Sequence, residues 1–142
     1  MASNPEQQEL RSYLRGDPAP EDAVVVVRGG PASLERLSAH ALRTRDAFLL
    51  DGEPVLGISV FCALDDIGPA SLDALLRRFS SYRVVHLPHA GQLRAAGFDL
   101  LDSFGRPHYT LRLHSLGDVA QLLDALGPAE ANPYHGRRPG RR

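Results

Sequence analysis

Lysine and tryptophan are absent from this 142-residue sequence, and cysteine and methionine each occur once. A lone cysteine, Cys62, excludes an intrachain disulfide and any zinc site built on several cysteines. It fits a reducing compartment. No apolar run approaches the ~20 residues of a membrane helix. The first residues, MASNPEQQELRSYL, lack the charged start and apolar stretch of a secretion signal. A cytoplasmic protein with no membrane partner is therefore expected. Excess charge is missing too: the formal net charge is −1, so attraction to nucleic acid must come from a local patch. All sixteen basic residues are arginine. With abundant Ala, Gly, Pro and Leu, that bias suits a GC-rich coding sequence of actinobacterial type and does not by itself mark phosphate binding.

Several chemical signatures are missing as well. There is no G-x-G-x-x-G, no G-x-x-x-x-G-K-[ST] and no H-E-x-x-H, so neither cofactor nor metal is expected. GISVF (57–61) has Phe61 where a serine-hydrolase elbow needs its second glycine. Ser59 also falls inside a strand pattern, and the sequence argues against a serine nucleophile.

What is present is an ordinary globular composition, 43% hydrophobic and 23% charged, long enough for one self-sufficient core. Residues 1–22 read as an N-terminal helix, over 5–15, and a linker. Residues 23–127 form an α+β domain, and 128–142 form a flexible basic tail. AVVVVR (23–28) is a strand buried on both faces. A helix follows from Pro31 or Ser33 to Arg45, with Leu34, Leu37, Ala41 and Leu42 on its apolar stripe. Asp51-Gly52 joins two apolar runs as a hairpin. Further helices span 70–79 and 116–126, and a short one opens at Pro88 and stops at Gly97. YRVVHL, FDLLDSF and HYTLRL supply three more strands. The expected fold is a single compact α+β domain, with about six mixed or antiparallel strands and about four helices. Its first elements follow a βαββαβ order.

SFGRPHYTLRLHS (103–115) carries the chemistry. In a strand, Tyr109, Leu111 and Leu113 face one way and His108, Thr110, Arg112 and His114 the other. Two readings stand: a solvated outer face, or a grip on an anion. A ligand there would also meet Arg83, His86 and Arg106. Arg28, followed by two glycines at a strand end, occupies a frequent ligand position. His86, His108 and His114 are candidate acids or bases, titrating near neutrality. Tyr134, Arg137 and Arg138 in the tail suit base stacking and phosphate contact.

SFGRPHYTLRL, LLDALGP and NPYHGRR resemble the C-terminal part of a set of short uncharacterised actinobacterial proteins, and the likeness runs from about Ala23 onward. It implies a bacterial cytoplasmic protein and no particular chemistry. Arg28 in VVVVRGG and Ser59 in GISVF also resemble, in order, the NAD-anchoring Arg and strand-borne Ser of small ADP-ribosyltransferase-like toxins. That resemblance implies NAD as the substrate, held by Arg28. The family's catalytic Glu has no counterpart on or near HYTLRL, and Glu130 lies past the last helix. Three functions remain open: a toxin-like or defence-cassette module, paired with an antitoxin-like protein, that acts on or binds nucleic acid; an NAD-dependent transferase; and a non-catalytic protein-interaction module.

Overall fold

Hydrophobic alternation resolves into nine short strands and four helices among the described residues, 7–10, 18–27 and 31–136 of a computed structural model. In chain order they are β1 (Gln8–Glu9), β2 (Val25–Val26), α1 (Leu34–Ala47), β3 (Phe48–Leu50), β4 (Glu53–Pro54) and β5 (Leu56–Cys62). Next come α2 (Leu72–Arg78), β6 (Val84–Val85), α3 (Ala90–Ala95), β7 (Asp99–Asp102), β8 (His108–Leu113), α4 (Val119–Ala125) and β9 (Glu130–Ala131). The protein is an α+β domain.

The central sheet runs β2-β5-β8-β7, antiparallel throughout. On its far side β2 is linked by antiparallel bridges, Val24 to His89 and Val27 to His86, to the chain that continues from β6. This explains the four valines: Val25, Val26 and Val27 are buried because backbone flanks them on both sides. β6 pairs in turn with β9. The βαββαβ elements occur in that order but are divided among three sheets. β3 joins β1 and β4 instead of the central sheet.

Local signals account for the element ends. Ser33 caps α1, its Oγ accepting from the Arg36 N–H at 3.1 Å. Asp51 and Gly52 both have positive φ, 53° and 81°, which closes the two-residue β3–β4 turn. α3 ends at Gly97, with Phe98 N–H donating back to Leu93 O at 3.0 Å and Gly97 N–H to Arg94 O at 2.9 Å. Pro88 precedes α3 without entering it, since His89 is the cap.

One sheet face carries Val25, Ile58, Val60, Cys62, Tyr109, Leu111 and Leu113. It meets Leu37 and Ala41 of α1, Leu93 of α3, and Val119 and Leu122 of α4 in the main core. Leu34 and Leu116, expected to face inward, are exposed, because the buried stripe of each helix begins one turn later. On the opposite face, Val26 and Phe61 pack under Leu75 and Phe79 of α2 and its C-cap. Leu101 lies beside Leu10, Leu50 and Val55, brought in by the β1-β3-β4 sheet.

Both ends depart from expectation. Of the predicted N-terminal helix, the described residues Gln8–Glu9 form a strand parallel to β3. Burial of Leu10 and the bonds from Asp51 and Gly52 N–H to the Glu9 carboxylate outweigh helical propensity there. Of the predicted flexible tail, residues 128–136 belong to the fold. Buried Asn132 donates to Leu76 O and Phe79 O at 3.1 and 3.0 Å, fastening the chain to the end of α2.

Candidate functional site

The second sheet face is neither bare nor solvated along its length. Between α2 at one end and the β3–β4 hairpin at the other it keeps a cleft of about 280 Å³. Ser59, His108 and Thr110 form the floor, Phe48 and Phe104 one wall, and α1 contributes His40, Arg43 and Thr44. Ser59 and Thr110 are directly opposed between β5 and β8, and His108 lies opposite Phe61. The outer-face reading of HYTLRL is therefore corrected. Thr110 is buried and His108 half-buried, because the neighbouring elements fold over this face.

Ser59 Oγ lies 2.5 Å from His108 Nε2. On the other side of the ring, Nδ1 lies 3.0 Å from the Ser103 carbonyl oxygen and 3.1 Å from Ser103 Oγ. A carbonyl only accepts, so in the neutral ring Nδ1 carries the hydrogen and Nε2 presents its lone pair. The Ser59 hydroxyl then donates to Nε2. Ser103 Oγ is itself 2.7 Å from Thr110 Oγ1, which fixes the serine that orients the ring. Phe61 and Phe104 meet the imidazole edge-on, with centroids 5.1 and 5.2 Å away. The result is a serine hydroxyl against a histidine of fixed tautomer, at the floor of a largely apolar cleft.

α1 reaches this site along the edge of the sheet. Among the described residues, β2 pairs with Phe61 and Cys62, and none forms a strand beside the earlier part of β5 on that side. His40 Nε2 takes the Ser59 backbone N–H at 3.1 Å in place of a strand carbonyl. Gly57 lets Thr110 and Thr44 approach: a Cβ at this position would lie 2.6 Å from Thr110 Cγ2 and 3.3 Å from Thr44 Cγ2.

Electrostatics separate this cleft from a larger one. A cavity of about 350 Å³ is lined by Asp22, Asp65, Asp66 and Asp73, whose carboxylates repel anions. The Ser59–His108 cleft has no acid among its described lining residues and has Arg43 at its edge.

Of the residues expected around one ligand, only His108 and Thr110 line this cleft. His86 is buried, with Nε2 accepting the Ala32 N–H at 3.0 Å and Nδ1 2.9 Å from Gly127 O. Both ring nitrogens are used by backbone, so His86 is a clasp between two loops. His114 is exposed at the end of β8, and its N–H donates to Asp118. Arg106 forms a two-pronged pair with Asp65 at 2.7 and 2.9 Å, whose hydrogen bonds raise the guanidinium pKa and lower that of the carboxylate. Arg112 stands opposite Asp99 in register, and Arg83 is exposed beside β6. The Tyr134 hydroxyl donates to Asp73, and the ring lies under the Arg77 guanidinium, 4.6 Å from its centroid. Arg28, Arg137 and Arg138 lie outside the described residues.

Sequence reasoning missed His40, Arg43 and Phe104, and it set Ser59 aside as a nucleophile for want of the elbow glycine and a strand-to-helix turn. Ser59 was visible as the one polar residue in LGISVFC, but its partner lies forty-nine positions away, beyond any local motif. Among the described residues no group of three or more His, Cys, Asp or Glu could hold a metal ion, and no helix is long and apolar enough to cross a membrane. No family model, curated protein or solved structure matches the chain.

Proposed function

We propose that this protein is a nucleic-acid-directed module of the toxin-like or defence-cassette kind, and that its ligand is single-stranded. The observation that carries the reading is the Ser59–His108 pair at the floor of a cleft with a partly exposed phenyl ring, Phe104, in its wall and a guanidinium, Arg43, at its edge. Base stacking on an aromatic ring and phosphate contact by arginine are the two elements of sequence-tolerant single-strand binding. The cleft lies just below the ~300 Å³ at which small-molecule pockets begin. It suits one unstacked base and the adjoining phosphate, with the rest of the strand outside. The transferase alternative calls for a carboxylate that none of the described lining residues supplies. The interaction-module alternative docks a partner on a sheet edge or the tail and gives the cleft no part.

The test is anisotropy of a labelled single-stranded oligonucleotide across a salt series. Affinity should fall as salt rises, with a log–log slope of about −0.7 per phosphate neutralised. It should also weaken in Arg43→Ala and Phe104→Ala. Binding that ignores salt, or that both substitutions leave intact, overturns the reading.

A further inference from the structure

We infer that Ser59 is a nucleophile of this cleft, activated by His108, and that it attacks phosphodiesters directly. The inference rests on the nucleic-acid reading for its substrate class but not for its chemistry. In His-assisted cleavage of RNA the attacking oxygen is the ribose 2′-hydroxyl. Here the hydroxyl within 2.5 Å of the basic nitrogen already belongs to the protein. The Ser103 carbonyl keeps the proton on Nδ1, which leaves Nε2 able to accept. This is the nucleophile–base–orienter arrangement of covalent catalysis, with a backbone carbonyl as the third member. No described lining residue carries a negative charge, and Arg43 stands at the cleft edge, so an anionic phosphorus centre can approach.

The step balances within the chain. The Ser59 Oγ–H proton passes to His108 Nε2 as the Oγ–P bond forms and the P–O bond to the leaving alcohol breaks. The imidazolium then protonates the departing alkoxide. In the second half, His108 takes a proton from water, the water oxygen bonds to phosphorus, the P–Oγ bond breaks, and the proton returns to Ser59. No 2′-hydroxyl takes part, so a deoxy strand is as good a substrate as a ribose one.

The experiment treats the full chain with two probes. A fluorophosphonate forms an Oγ–P bond with loss of fluoride, and intact mass and peptide mapping locate the adduct. A single-stranded oligodeoxynucleotide reports cleavage. The expected result is one adduct on Ser59, absent in Ser59→Ala and at least about 100-fold slower in His108→Gln. It should be unchanged in His114→Ala, and the oligodeoxynucleotide should be cut. Native circular dichroism of each variant separates lost chemistry from lost fold. Salt-sensitive oligonucleotide binding with no adduct overturns the nucleophile and leaves the binding reading standing. An adduct on Ser59 without oligonucleotide binding upholds the nucleophile and removes nucleic acid as its substrate. Cleavage confined to ribose-containing strands returns the attack to the 2′-hydroxyl and overturns the inference.

Discussion

A methyl group added at Gly57 should distort the floor of the cleft, and its effect can be worked out atom by atom. The new Cβ would sit 2.6 Å from Thr110 Cγ2, well inside contact distance, and 3.3 Å from Thr44 Cγ2. Both residues at the first contact are buried strand residues, Thr110 in direct apposition to Ser59 and Gly57 two positions from it on the same face. Overpacking of this kind costs about 1–3 kcal/mol. Stiffening of the unfolded chain offsets about 0.4–1 kcal/mol of that. Gly57→Ala should therefore lose a net 1–2 kcal/mol or so, a fall in Tm of about 3–8 °C for a domain of this size. Thr110→Ser removes the offending methyl but keeps the hydroxyl that Ser103 Oγ touches. Alone it should cost about 1 kcal/mol for the lost methyl. In the double variant the alanine methyl fills the vacated space, and the total should fall short of the sum by about 1 kcal/mol or more. Urea denaturation of the four proteins measures the cycle. Additivity within about 0.5 kcal/mol would show that the two side chains do not compete for that space, and would refute the packing argument.

Other outcomes follow from single residues. Asn132→Ala should destabilise by about 1–3 kcal/mol in urea melts, because Leu76 O and Phe79 O lose a buried donor and the chain end loosens. Ser33→Ala removes the α1 cap and should cost about 1 kcal/mol, with Ser33→Asp restoring most of it. Burial pushes the Cys62 thiol up from 9.0 to about 12, so an aromatic disulfide reagent at pH 8 should label it only after unfolding; labelling of the native protein at the rate of a free thiol refutes this. A group whose pKa is raised on folding stabilises the fold fully below its unfolded value and loses that contribution as pH climbs. Stability should thus decline between about pH 9 and 12, Tyr109 contributing through its own rise from 10.0 to about 12 by burial, and Cys62→Ala should flatten the first part of that slope.

Much of the fold was written locally and could be read locally. The α1 cap at Ser33, the Asp51-Gly52 turn and the Gly97 stop depend on residues within one turn of one another. The α+β class follows from the two hydrophobic periods. The division of strands among sheets does not. β3 leaves the central sheet because Leu50 and Val55 meet Leu10 and Leu101, residues from distant parts of the chain. The two-residue strands β1 and β9 carry no alternation to detect and exist through tertiary bonds to Glu9 and around Asn132. The site divides in the same way. Alternation put His108, Thr110 and Arg112 on one side of β8 and the core residues on the other. That alternation is silent on what covers a face, and here α2 and a hairpin cover its two ends while α1 flanks it along the sheet edge. His86 had the composition of a site residue and the surroundings of a structural one, a difference visible only once Ala32 and Gly127 are brought to its ring.

The pairing of β5 with β8 sets a timetable for biosynthesis. Leu56 finds its partner only when Leu113 has left the ribosome, so nearly the whole domain must be synthesised before its middle can close. Until then a seven-residue apolar strand, Leu56–Cys62, waits with its amides open on the β8 side. Nascent chains stalled short of Leu113 should therefore depend on chaperones, and slowing translation between the two strands should prolong that exposure.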